Sequence, residues 1–260
     1  MFKMKIQAKL TLIGAGPGDS ELITLKGITA LAKAKAILYD ALVNPELLDF
    51  APPGTLKVFV GKRKGEHSFT QGEINKLIVD LALTHGNVVR LKGGDSFVFG
   101  RGYEELEYAA KYDIATEYIP GVSSSISVPG LQGIPVTNRG TSESFWVITG
   151  TTSSGELSKD VAIAAKTDAT VVILMGVGKL NEIAEVYRSN NKKNTAIAII
   201  QNGSLPNEKI VLGTISSIES VAKAENIGVP AVIVIGDVVK LHPKYDEQLA
   251  TWNAIFKIEK

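Results

Sequence analysis

The strongest constraint on how this chain can fold is a unit that keeps returning. A short apolar, β-branched run ends in a turn, and a stretch with helical spacing follows it. KLTLIGAG (9–16), AILYD (36–40), LKVFVG (56–61), NVVRLKGG (87–94) and ATEYIPG (115–121) read as strands running into turns. Between them, ELITLKGITALAKA, TQGEINKLIVDLALTHG and YEELEYAAKY carry helical patterns. Thr70 ahead of Glu73 has the form of a capping box at a helix start. Strands this apolar are buried on both faces, which predicts a mostly parallel sheet flanked by helices.

A second set follows: SFWVITG (144–150), ATVVILMGVG (169–178), TAIAIIQNG (195–203), KIVLGT (209–214) and PAVIVIGDVV (230–239), with helical stretches such as KLNEIAEVYRSN and ISSIESVAKAENI among them. The segment GIPVTNRGTSES (133–144), rich in Gly, Pro, Thr and Ser, places a domain junction near residue 138. The expected organisation is an α/β domain over 8–138, a second over 139–243, and a tail over 244–260 that forms a short helix. Two α/β domains imply a cleft between them, a favoured place for ligands.

Composition narrows the chemistry. Lys and Arg number 28 against 27 for Asp and Glu, a net charge of +1, which argues against an extended nucleic-acid surface but leaves room for a local basic pocket. With no cysteine, disulfides, thiolate metal sites and a cysteine nucleophile are excluded. His67, His85 and His242 lack metal-ligand spacing, so no metal site is expected. No stretch has the roughly 18 apolar residues of a membrane span, and the N-terminus lacks a signal-like apolar run, so the cytoplasm is the expected compartment.

Two glycine loops carry the functional question. LIGAGPGD (12–19) follows a strand, and Asp40 ends the next one, as in dinucleotide-binding folds where an acid holds a ribose. Yet Pro17 removes an N–H that a pyrophosphate would use, and Asp19 stands where its charge would sit. No G-x-x-x-x-G-K-[ST] pattern occurs, so phosphate cradling of that kind is excluded too. In VVRLKGGDSFVFGRG (88–102), Gly93 and Gly94 allow close backbone approach, while Asp95 suits a ligand offering hydroxyls, an amine or a sulfonium. S-adenosylmethionine has all three and no phosphate. A tight turn with Asp95 capping the helix near Tyr103 explains the second loop equally well when it is taken alone. Two loops with the same aversion to phosphate favour the sulfonium nucleoside.

LIGAGPGD, YDALV, VGKRKG, VVRLKGGDSFVFGRG, PGVSSS, GIPVTNRG, LMG and QNG stand in the order in which they occur in tetrapyrrole methylases. The chain resembles that family over residues 8 to 243, nearly its whole length. GAGPGD alone is shared with diphthine synthase and an rRNA ribose methyltransferase. The YDALV, VGKR and LKGGDSFVFGRG group is similar to the branch acting on uroporphyrinogen III. The resemblance implies a mostly parallel N-terminal sheet, a mixed C-terminal sheet, an active cleft between the domains and a homodimer. It implies methyl transfer from two molecules of S-adenosylmethionine to C2 and C7 of uroporphyrinogen III. Precorrin-2 would form by way of precorrin-1, for sirohaem or cobalamin, with S-adenosylhomocysteine as the other product.

Residue by residue, the resemblance assigns donor contact to Pro17, Gly93, Gly94, Asp95, Val98, Ser123, Ser124, Met175 and Gly203. It makes Asp40 the proton acceptor and Lys62 the proton donor. Arg101 and Arg139 are candidates for the substrate's carboxylates, with a salt bridge as the alternative for either. Ser124 can equally be a helix cap, Met175 core filler and Lys62 part of a solvated loop. The family commonly has GGDPF, THRG and YMG where this chain has Ser96, Asn138 and Leu174. The dehydrogenase and chelatase domain of some relatives is lacking, so methylation alone is expected. Methylation of a later precorrin, an NAD-dependent oxidoreductase and a non-enzymatic sensor are the competing readings.

Overall fold

The computed structural model describes residues 7–61 and 69–256. The chain divides into two compact units, Met1–Ser123 and Ser124–Lys260. In the first unit the order is β1 (Lys9–Gly14), α1 (Leu25–Leu31), β2 (Ala36–Tyr39), β3 (Leu56–Phe59), α2 (Gln71–His85), β4 (Asn87–Lys92), α3 (Gly102–Ala110) and β5 (Ala115–Ile119). The described strands pair wholly in parallel, in the order β3-β2-β4-β1-β5. Alternation along β4 separates the two cores. Val88 packs with α2 and α3 through Ile78, Ala82 and Ala109, while Val89 and Leu91 pack with Leu31 of α1 and Leu47 on the other face.

The second unit runs α4 (Ser124–Leu131), β6 (Phe145–Thr149), α5 (Asp160–Ala164), β7 (Thr170–Leu174), α6 (Leu180–Ser189), β8 (Ala196–Gln201), β9 (Lys209–Thr214), α7 (Ile218–Ala224), β10 (Ala231–Ile235) and α8 (Tyr245–Phe256). Its sheet, ordered β6-β7-β10-β8-β9, is mixed. β6 and β7 are parallel, whereas β10 is antiparallel to both β7 and β8, and β8 to β9. One face is covered by α5, α6 and α7 through Val161, Ile183 and Val221. The other is covered by Val128 of α4, Ile134 and Tyr245 of α8.

All ten expected strands form, and the tail forms the helix α8. The division between units, however, falls at Ser123 and Ser124, ahead of the junction expected near residue 138. Val128 and Ile134 are buried among Val172, Ile200 and Val232, so α4 and the Gly- and Pro-rich segment after it belong to the second core. That composition marks a loop inside a unit. The boundary itself is set by where apolar side chains are buried.

The capping box is present. Glu73 N donates to Thr70 Oγ1 at 3.3 Å, and Thr70 N donates to Glu73 Oε2 at 2.7 Å. It satisfies amides that the first turn of α2 leaves without helical partners. Thr70→Ala should therefore cost about 1 kcal/mol. Urea unfolding followed by circular dichroism should show a lower midpoint for Thr70→Ala and little change for Thr70→Ser.

Candidate functional site

In an all-parallel sheet every strand delivers its following loop to one edge, the carboxyl edge. The chain leaves β1 for the α1 face and leaves β4 for the α3 face, and these neighbouring strands therefore send their loops in opposite directions. Such a switch point opens a crevice at the carboxyl edge. The two glycine loops occupy it. Gly16 N donates to Gly94 O at 3.2 Å and Gly94 N donates to Gly16 O at 2.6 Å, so backbone pairs with backbone across the switch. A Cβ on Gly14 would lie 2.5 Å from Gly121 N and 2.7 Å from Gly94 O, and one on Gly121 would collide with Gly94 O. Three strand ends meet here with no room for side chains. Pro17 follows directly, partly exposed beside this junction.

Asp95 holds the junction together. Its Oδ2 accepts from Tyr118 Oη at 2.6 Å and from Gly121 N at 3.0 Å, and its Oδ1 accepts from Phe97 N at 2.8 Å. The carboxylate thus ties the β4 loop to the end of β5. It does not cap α3, whose N-cap position is Arg101. Desolvation and the Asp95 charge push the Tyr118 phenol well above its ordinary range, so it remains a donor. Phe97 stacks on Tyr118 with ring centroids 3.9 Å apart, while Val98 closes the turn by donating its N–H to Asp95 O at 3.1 Å. Three donors leave the carboxylate with accepting capacity for a ligand. Ser96 is wholly buried, and its hydroxyl finds no partner among the described residues.

Asp40 lies just past β2. Its Oδ1 accepts from Leu42 N at 3.1 Å, and its Oδ2 lies 3.6 Å from Arg90 Nη2. Leu42 in turn rests on Gly93, where an added Cβ would stand 2.6 Å from Leu42 Cβ. The loop carrying Asp40 therefore lies directly against the β4 loop. Arg90 belongs, with Lys92 and Glu105, to a buried charged group that no motif marks. Lys92 Nζ and Arg90 Nε approach Glu105 Oε1 at 2.9 and 3.3 Å. A signal was present: Arg90 and Lys92 alternate in an otherwise apolar central strand, which puts two cations on one buried face. Burial, with Arg90 adding, pushes the Lys92 ammonium below the ordinary lysine range.

Lys62 lies outside the described residues. Arg101 is half exposed and forks onto Glu104, with Nε to Oε1 at 2.9 Å and Nη2 to Oε2 at 2.6 Å. The salt bridge raised as its alternative is thus formed, and a substrate carboxylate would have to compete with it. Arg139 is exposed in the turn closed between Asn138 and Ser142.

Ser123 ends the first unit and Ser124 opens α4 of the second. Because β10 is antiparallel to both β7 and β8, those two strands run the same way and their following loops share one edge. Met175 directly follows β7 there in a left-handed conformation, φ 56°, with half its surface exposed. It is not core filler. Gly203 follows β8 on the same edge, where a Cβ would collide with Val128. Among the described residues, no group of three or more His, Asp or Glu is placed to hold a metal ion.

The model of the tetrapyrrole (corrin/porphyrin) methylases matches residues 9–219. A uroporphyrinogen-III C-methyltransferase of Methanocaldococcus jannaschii is 46% identical over 235 residues, covering 90% of this chain and 97% of that protein. One from Synechocystis sp. is 41% identical over 248 residues, covering 94% of each. Among solved structures, the uroporphyrin-III C-methyl transferase of Thermus thermophilus complexed with S-adenosyl homocysteine superposes with a TM-score of 0.76 at 36% identity, over 90% of this chain and 99% of that one.

The carboxylate junction makes two opposite expectations for neighbouring residues. Asp95→Asn replaces an acceptor of three bonds by an amide that turns one N–H₂ toward a donor, and should cost about 1–3 kcal/mol. Ser96→Ala removes a buried hydroxyl without a partner, and should leave stability unchanged or raise it by about 1 kcal/mol. Denaturant midpoints of the two variants measured side by side should move apart in that order.

Proposed function

The chain belongs to the tetrapyrrole methylase family, and on that premise we propose that it methylates uroporphyrinogen III at C2 and C7. Two molecules of S-adenosylmethionine supply the methyl groups, and precorrin-2 forms by way of precorrin-1, for sirohaem or cobalamin. One observation carries the reading: a relative named for this activity is 46% identical over nearly the whole of both chains. The donor's fit has independent support. The tight backbone junction of Gly14 and Gly121 with Gly94 keeps side chains away from this carboxyl edge, and Asp95 beside it offers accepting oxygens rather than a phosphate site. A dinucleotide is disfavoured by the same geometry. Gly16 N is already committed to Gly94 O, and α1 starts only at Leu25, beyond a separate turn at Ser20–Leu22 that Asp19 caps, so no helix N-terminus opens onto the loop.

In this reading a β-carbon of an electron-rich pyrrole attacks the sulfonium methyl. The new C–C bond forms as the S–CH₃ bond breaks, and its electron pair returns to sulfur. The chain's task is to hold the carbon in line with the departing sulfur. Pro17, Gly93, Gly94, Val98 and Ser123 in the first unit, with Ser124, Met175 and Gly203 in the second, are assigned to donor contact. Asp40 takes the proton that the methylated ring system releases, through the Oδ2 that faces Arg90. Lys62 is assigned the opposite transfer, on the resemblance alone. Arg101 and Arg139 are assigned to the substrate's acetate and propionate groups. A homodimer acting in the cytoplasm completes the proposal; among the described residues no helix is long and apolar enough to cross a membrane.

The test is anaerobic incubation with uroporphyrinogen III and labelled S-adenosylmethionine, followed by mass spectrometry of the tetrapyrrole. A gain of two methyl groups is expected, with Asp40→Asn slower by about 100-fold or more. Donor binding without any methyl on the tetrapyrrole would move the substrate to another precorrin. Full activity in Asp40→Asn would remove Asp40 as the base.

A further inference from the structure

Beneath Asp40 lies a group of charges that stability does not explain. Arg90 and Lys92 on β4 are almost fully buried, and Glu105, in the first turn of α3, has no exposed surface. Glu105 Oε1 alone accepts from Lys92 Nζ at 2.9 Å, Arg90 Nε at 3.3 Å and Gln71 Nε2 of α2 at 3.1 Å. Its Oε2 is buried without a partner among the described residues. Arg90 reaches on from Glu105 to Asp40, with Nη2 3.6 Å from Oδ2, and a second branch donates Nη1 to Leu91 O at 3.0 Å. Apolar side chains of similar volume in place of such buried pairs are often neutral or stabilising. An unpartnered carboxylate oxygen adds further cost. A cluster kept at that cost, ending on Asp40, points to the proton-transfer step.

We propose that Glu105 is a positioning residue which, through Arg90 and Lys92, sets the orientation of Asp40 and the pH at which it accepts a proton. The proposal rests on the reading of Asp40 as the base. Glu105 holds the Arg90 guanidinium at Nε, next to the Nη2 that Arg90 presents to Asp40, and so fixes where Nη2 stands. It also balances one of the two cations. With Arg90, Lys92, Glu105 and Asp40 ionised, the cluster is neutral. The start of α3 adds its own preference for a negative charge at Glu105. The other charged groups beside the cluster among the described residues are Glu104, which Lys92 also influences, and its partner Arg101. Gln71 and, through it, Asn75 are neutral.

The sign of the effect follows from charge. Removing Lys92 leaves the cluster with one negative charge in excess, which makes proton uptake at the base easier. Removing Glu105 as well restores the charge balance. The experiment is the pH profile of kcat/KM for tetrapyrrole methylation in the whole chain, for the unaltered protein, Lys92→Met, Glu105→Gln, Lys92→Met/Glu105→Gln and Asp40→Asn, with donor affinity measured by titration calorimetry. Lys92→Met should move the acidic limb to higher pH by about half a unit or more, and the added Glu105→Gln should bring it back. Glu105→Gln alone should lower kcat by on the order of 10-fold or more while donor affinity stays within about twofold. A residue serving only the fold would alter the denaturation midpoint and leave the limb in place.

The proposal is overturned if Lys92→Met and the double variant share one acidic limb, or if Glu105→Gln keeps full kcat. Should Glu105→Gln fail to fold, Lys92→Met decides alone, and an unmoved limb overturns the proposal. An inactive Asp40→Asn with an unresponsive limb means that Glu105 has no such role. A fully active Asp40→Asn means instead that Asp40 is not the base, and the role of Glu105 falls with it.

Discussion

The first unit depends on a place where three strand ends meet with nothing between their backbones. Gly14 and Gly121 approach each other and the Gly94 carbonyl so closely that neither could carry a side chain. Backbone contact of this kind brings no apolar burial of its own, and it has to be held by polar bonds. Asp95 provides them, with one oxygen on Tyr118 and Gly121 and the other on Phe97. Bare backbone at a carboxyl edge is here locked by a buried carboxylate. The remaining assignments in this unit are placed by reference to it, because the Asp40 loop packs on Gly93 through Leu42.

The two units are built from different materials. In the first, charge is taken inside: Arg90, Lys92 and Glu105 lie within the layer between β4 and the helices α2 and α3. Desolvation makes such groups costly, and it also strengthens their influence on one another and on Asp40. The second unit has an apolar sheet, with Ile197, Ile199 and Ile233 on one face and Ala198, Ile200 and Val234 on the other. What distinguishes it is backbone form at its strand ends. Met175 is turned outward by a left-handed residue conformation, and the β8 loop is drawn against α4 at Gly203.

Much of the fold was legible because strands buried on both faces leave an unmistakable pattern. KLTLIGAG and NVVRLKGG announced both their burial and the turns that end them, and Thr70 with Glu73 announced a helix start that the structure contains. The unit boundary was not legible. GIPVTNRGTSES has the composition of a linker, yet Ile134 within it is wholly buried in the second core. Composition reports local backbone preference, whereas a boundary depends on which distant side chains a residue touches. The partners of Asp95 were hidden for the same reason. Tyr118 and Gly121 lie 23 and 26 residues away, and no periodicity connects them to the GGD turn.

The sequence by itself determined the alternation of strands and helices, the glycine loops at strand ends, and the motifs by which the family is recognised. These are properties of neighbouring residues, and dihedral freedom, side-chain period and residue type are carried along the chain. Only the tertiary structure decided that Arg101 pairs with Glu104, that Asp95 serves the loop junction, and that Glu105 stands under Arg90 and Lys92. Those outcomes depend on pairings across a sheet and on which charges lose their water together. Desolvation is a property of the assembled core, and no stretch of sequence contains it.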